Sequence, residues 1–227
     1  MRKLTLTAAA AALLFAATSC NNATSDTAKT DTAKTAAVAT GKEYAADVAT
    51  TVIKWRGVHK GGMNPRYGTL NITNGSVSVD NGKVTGGSFE VDLNTLKVDS
   101  ASVGASEGKK PADLEGHLKS PDFFDVAKHP TAKFVITGVD AFDAAKDQSL
   151  LAGATNIVSG NLTLKDSTLN IKFPAKITVA DNGVTVEAKF TVDRTSWGLN
   201  YKAEGDPANW LISKDFELDI NLKAVQK

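Results

Sequence analysis

The chain has 227 residues, with 26 Lys and Arg against 25 Asp and Glu and a formal charge of +1. That balance excludes a strongly basic nucleic-acid binder, because no surplus of cations exists to follow a phosphate backbone. Hydrophobic residues at 42 % and charged residues at 22 % describe a globular chain, and a single cysteine excludes a disulfide framework or a Cys-rich metal cluster.

In chain order, Arg2 and Lys3 precede an apolar, small-residue run from Leu4 to Ala17. That run falls short of the about 20 apolar residues a membrane-spanning helix needs, so residues 1–19 read as a secretory signal peptide. Ala17, Thr18 and Ser19 lead into Cys20, the sole thiol, in a pattern that resembles a bacterial lipoprotein processing box with Ala17 where Leu is usual. Cys20 is therefore the expected site of lipid attachment. The expected location is the cell envelope, on a bacterial membrane and facing the periplasm. Each buried methylene of an acyl chain is worth about 0.8 kcal/mol, so several chains hold firmly.

Residues 20–43 are built from Ala, Thr, Asn, Asp and Lys, with Asp-Thr-Ala-Lys-Thr repeated at 26–30 and 31–35. With no aromatic residue and almost no large aliphatic before Tyr44, this stretch is expected to be a flexible tether between lipid anchor and folded domain.

From residue 50 onward the period is two. Phe89, Val91 and Leu93 alternate with polar neighbours, as do Leu169, Ile171 and Phe173, then Val184 to Val192, then Phe216 to Ala224. Turn signals stand at Asn74-Gly75, Asn81-Gly82, Gly86-Gly87 and Asp181-Asn182-Gly183. One short helix is expected over about Lys110–Leu118, with Pro111 in its first turn. Long strands with one apolar face must cover that face or close on themselves, so residues 44–227 are expected to form an all-β, antiparallel barrel of about eight strands. Closure turns Phe89, Val91, Phe173, Val186, Phe190, Phe216 and Leu218 inward, around an apolar interior able to hold one small ligand.

Catalytic signals are weak. Gly104-Ala-Ser106-Glu-Gly108 matches a nucleophile string, but that chemistry requires a strand-to-helix turn beside a parallel sheet. His59, His117 and His129 show no metal-ligand spacing, and no Gly-rich loop opens a helix after a strand. Asp193 and Arg194 read as an ion pair fixing the last hairpins. No enzyme activity, cofactor or metal is expected.

The stretch His117-Leu-Lys-Ser-Pro-Asp-Phe-Phe-Asp-Val126, followed by Pro130-Thr-Ala-Lys-Phe134, closely resembles the HLKSxDFFDVxxxPTAxF segment of the YceI-like, polyisoprenoid-binding family. Gly86-Gly-Ser-Phe-Glu-Val-Asp-Leu93, Gly160-Asn-Leu-Thr-Leu-Lys165, Phe173-Pro-Ala175 and Val192-Asp-Arg-Thr-Ser-Trp-Gly-Leu199 resemble further segments of that family, in order. Asp166 stands where the family usually has Gly. The resemblance runs from about Tyr44 to the C-terminus and implies an extended, lipocalin-like barrel that carries a long-chain amphiphile: a polyisoprenoid, an isoprenoid quinone or a fatty-acid-type lipid. It adds Trp55, Phe123, Phe124, Phe134 and Trp197 to the expected ligand-binding set. The rival reading is a structural or stress-related interaction module whose barrel is filled by its own side chains, and a homodimer stays open under either.

Overall fold

The computed structural model describes residues 27–104, 110–203 and 211–226. Its strands are β1 (Lys29–Thr32), β2 (Lys42–Ala46), β3 (Val52–His59), β4 (Arg66–Asp80), β5 (Lys83–Val98), β6 (Thr131–Ala141), β7 (Asn156–Leu164), β8 (Ser167–Ala180), β9 (Gly183–Asp193) and β10 (Ile212–Gln226). From β3 to β10 each strand pairs antiparallel with the next, and β10 pairs back onto β3, which closes an eight-stranded up-and-down barrel. Closure leaves no long unpaired edge. Strand β2 occupies the same position as β3 at the other end, pairing with Ser76–Val79 of β4 and Ala224–Gln226 of β10. The two are separated at Asp47, whose carbonyl accepts the N–H groups of Thr50 and Thr51.

The barrel has two unlike ends. One, the mouth, carries the β3–β4 hairpin tip, the β5–β6 connection with helix α1 (Pro111–Lys119), the β7–β8 turn and the β9–β10 connection. The far end carries the tight β4–β5 and β8–β9 turns. Asn81 and Gly82 both take positive φ, 48° and 75°, the conformation a two-residue hairpin turn requires. Asn74-Gly75 and Gly86-Gly87, in contrast, are not turns. Both lie inside long paired strands, Gly75 opposite Phe89 and Gly87 opposite Val77. A Cβ on Gly75 would lie 2.3 Å from Phe89 Cδ1, and one on Gly87 would lie 2.4 Å from the Ser76 carbonyl oxygen. Close packing, not chain reversal, is what these glycines serve.

Alternation places the apolar residues as expected. Leu93, Ile171, Val77, Val184, Val192 and Phe190 are almost wholly buried, and the rings of Phe173 and Phe190 stack at 4.1 Å. Helix α1 begins where the Lys110 N–H donates to the Asp113 carboxylate at 3.0 Å, with Pro111 in its first turn. The Glu115 carboxylate accepts the Val98 N–H at 3.0 Å and pairs with Lys97 at 3.2 Å, fixing the helix to the end of β5. Those contacts hold its carboxyl below the ordinary range, the Val98 N–H contributing most.

Residues 27–41 are not a free tether; the structure lays them against the outside of the barrel. Strand β1 pairs with β8 from Lys29↔Lys172 to Thr32↔Leu169, filling the gap where β8 and β9 part, and the Ala28 N–H donates to Thr191 at 2.8 Å. Onward, the Lys34 N–H donates to Asn161 on β7 at 2.9 Å, the Ala37 N–H to Ile136 on β6 at 3.0 Å, and the Thr40 N–H to Thr85 on β5 at 3.1 Å. The belt stays up mainly because its backbone groups find partners on the barrel wall, with the small side chain of Ala28 buried against the core.

Candidate binding tunnel

Two neighbouring chambers lie inside the barrel, sharing part of their walls. The mouth chamber has a volume of about 580 Å³ and is walled by Trp55, Leu70, Leu96, Leu114, Leu118, Phe123 and Phe124 among others. The deep chamber, about 160 Å³, is walled by Phe89, Val91, Leu93, Phe134, Phe173, Ile177, Val186 and Phe190, with Thr51 the one polar residue on its wall. Leu70, Phe124, Phe216 and Leu218 line both chambers and make up the shared boundary, or neck, between them.

Strand periodicity accounts for the deep chamber: every second residue of β5, β8, β9 and β10 faces it. The mouth chamber is made differently, by strand ends, α1 and the β9–β10 connection. His117 on α1 stands edge-on to Tyr201 and Phe123, with ring centroids at 4.8 and 5.2 Å, and its Nε2 lies 3.0 Å from Asp122. Around this aromatic cluster the polar groups Arg66, Asp113, Arg194, Lys202 and Ser213 reach the wall. The chemistry available is an amphiphile's: polar partners at one end and hydrocarbon at the other.

Arg194 is buried in this wall. Its Nε donates to the Ser213 carbonyl at 3.1 Å, one Nη to the Leu199 carbonyl, and the other to Tyr201 and Ile212 at 3.0 and 3.3 Å. Burial lowers its affinity for the proton, and the negative charge of Asp193 offsets part of that. The expected Asp193–Arg194 ion pair is replaced by another: Asp193 pairs with Lys214 at 3.1 Å and accepts the Thr195 hydroxyl and N–H. Burial pushes the Asp193 carboxyl up, but these donors outweigh it and hold it below its usual range.

Of the expected ligand-binding residues, Trp55 and Phe123 lie on the mouth chamber and Phe124, Phe216 and Leu218 at the neck. Phe89, Val91, Phe134, Phe173, Val186 and Phe190 lie on the deep chamber. Trp197 faces neither: it is 2 % exposed, packed in the core, with its indole N–H donating to the Leu162 carbonyl at 3.0 Å. Arg66, Asp113, Lys202 and Ser213 were absent from the expected set because they sit at strand ends and in connections, where no period marks them. Ser106 and Cys20 lie outside the described residues.

Residues 44–224 match the YceI-like domain family. The chain belongs to that family. A UPF0312 protein of Azotobacter vinelandii is 30 % identical over 145 residues, 60 % of this chain and 61 % of that protein. One of Pseudomonas paraeruginosa is 28 % identical over 156 residues, 69 % of this chain and 65 % of its own length. The match thus spans just under two thirds of these curated relatives. BcnA of Burkholderia cenocepacia superposes with a TM-score of 0.53 at 14 % identity, over 79 % of this chain and 99 % of that one. A polyisoprenoid-binding domain of Saccharophagus degradans, implicated in plant cell wall breakdown, gives 0.53 at 15 %, over 81 % and 98 %. At these identities the YceI-like structures share the barrel fold with this chain.

Proposed function

We propose that this YceI-like protein binds and carries a long-chain amphiphile, without chemistry, in its two-chambered tunnel, and that acylated Cys20 holds it on a bacterial membrane in the envelope. A polyisoprenoid, an isoprenoid quinone or a fatty-acid-type lipid fits this description. The observation that carries the reading is the deep chamber. An apolar space of about 160 Å³, bounded by residues it shares with a wider mouth that has polar partners, suits a tail and a head group. A tail in that space gains about 25 cal/mol for each Å² of apolar surface taken from water, enough for micromolar binding after association costs of several kcal/mol. The polyisoprenoid-binding domain of the same fold supports the choice of tail. The open chambers weigh against an interaction module with a self-filled barrel.

Val186 lines the deep chamber, whereas its neighbour Glu187 points outward and pairs with Lys176 at 3.1 Å. Val186→Gln places an amide without partners in the tunnel, at a cost of about 1–3 kcal/mol, and should weaken binding about fivefold or more. Glu187→Gln should leave it unchanged. Displacement of a fluorescent fatty acid or quinone, with folding followed by circular dichroism, reads both. Equal affinity in the parent and both variants would remove the tunnel as the binding site.

A further inference from the structure

The described chain begins beside one end of the barrel. Thr27 bridges to Thr191 of β9, and Thr191 stands two residues from the mouth-end terminus of that strand, Asp193, but eight from its far-end start at Gly183. Those separations are about 7 Å and about 27 Å along the strand. Cys20 precedes Thr27 by only seven residues, which even pulled straight reach about 24 Å. The belt has used the rest of what composition alone presents as a long spacer.

The same side of the mouth carries exposed apolar side chains. Glu217 of β10 pairs with both Thr191 and Arg56, so the chain's point of departure lies across β9 and β10 from β3 and its hairpin tip. At that tip Met63 is 61 % exposed; beside it Leu211 is 50 % exposed. The two are tied into one lip: the His59 N–H donates to the Met63 carbonyl at 2.8 Å and the Lys60 N–H to the Leu211 carbonyl at 2.9 Å. Leu211 is also part of the mouth-chamber wall, and Lys202 joins the lip through its carbonyl, which accepts the Leu211 N–H at 3.2 Å. The far end exposes Val48 and Val225, so apolarity does not choose between the ends. Chain length does.

We propose that the mouth lip formed by Met63 and Leu211, flanked by Lys202, docks on the surface of the bilayer that holds the acylated Cys20, so that the tunnel opens toward the lipid. The proposal rests on the reading that Cys20 is acylated. Apolar side chains on an exposed lip enter the headgroup boundary, and a lysine beside them meets lipid phosphates. A tail can then pass between bilayer and tunnel with little exposure to water.

The test uses the full chain, matured and acylated in a bacterial host and reconstituted in phosphatidylethanolamine–phosphatidylglycerol vesicles. With the one native thiol acylated, a second cysteine is uniquely labelled, at the lip by Met63→Cys or in the far-end turn by Asn81→Cys. A nitrobenzoxadiazole label at the lip should shift to the blue and be quenched by spin-labelled lipid, while the label at the far end stays water-exposed. Fractionation of the parent and of Cys20→Ala reports separately on anchoring. A membrane-bound parent with the lip label in water, or with both labels quenched alike, overturns docking and leaves anchoring standing. A parent found in the soluble fraction overturns both.

Discussion

Arg194 brings a positive charge into the tunnel wall and distributes its N–H groups over the carbonyls of Leu199, Tyr201, Ile212 and Ser213. Leu199 and Tyr201 belong to the β9–β10 connection and Ile212 and Ser213 to the start of β10, so one planar fork ties the connection to the strand that follows it. Lysine would keep the charge but has three donors on a flexible stem and no fork. Arg194→Lys should leave about two carbonyls without a donor, costing about 2–4 kcal/mol. In a domain of this size that lowers the thermal midpoint by about 5–10 °C. Calorimetry decides it, and an unchanged midpoint would mean that the charge alone holds the connection. The sequence identifies Arg194 as a distinctive residue through its family resemblance, but not its partners: backbone carbonyls leave no trace in side-chain pattern, whereas the adjacent Asp193 made an ion pair the simpler expectation.

At the level of elements, the strands were legible because one face of each is buried, and period two follows from that directly. The glycines of β4 and β5 misled for an equally physical reason. A glycine beneath an aromatic ring and a glycine in a turn look alike in sequence, and only the partner strand distinguishes them. The belt was illegible because it is held by its backbone and by Asn161 and Thr85, while composition reports only on apolar burial. A chain beginning at Lys42 should therefore fold into the barrel but be less stable, because it loses the pairing of β1 with β8 and the hydrogen bonds at Ala28, Lys34, Ala37 and Thr40. Gly86→Leu is a gentler probe, since a Cβ there would sit 3.1 Å from the Ala39 Cα and push the belt outward. Both variants should melt several degrees below the parent, and Gly86→Leu should also exchange the Ala37 amide faster. A truncated chain that melts with the parent would return residues 27–41 to the role of spacer.

On the scale of the whole molecule, the proposed binding assigns the tail to one chamber and the head group to the other, and the legibility of the chambers divides the same way. The deep chamber follows from alternation along β5, β8, β9 and β10, so Phe89, Phe173, Val186 and Phe190 could be named before any fold was known. The mouth depends on how α1 and the β9–β10 connection lie across the strand ends, and Arg66, Asp113 and Lys202 are brought together only by that placement. Between the chambers stands the neck of Leu70, Phe124, Phe216 and Leu218, and it makes tail length a measurable quantity. Leu70 is 9 % exposed, and Leu70→Trp adds bulk at the junction for an overpacking cost of about 1–3 kcal/mol, which the barrel should survive. With the neck closed, a short-tailed amphiphile that occupies the mouth chamber alone should keep its affinity within about twofold, since Leu70 is one residue among many on that wall. A long-tailed one should lose tenfold or more, because the tail segment expelled from the deep chamber forfeits about 0.8 kcal/mol per methylene returned to water. Titrating fatty acids of increasing chain length against the parent and Leu70→Trp gives two curves that should part at the length where the tail first reaches the neck. Curves that stay parallel at every length would show that tails never enter the deep chamber, and that the mouth alone is the binding site.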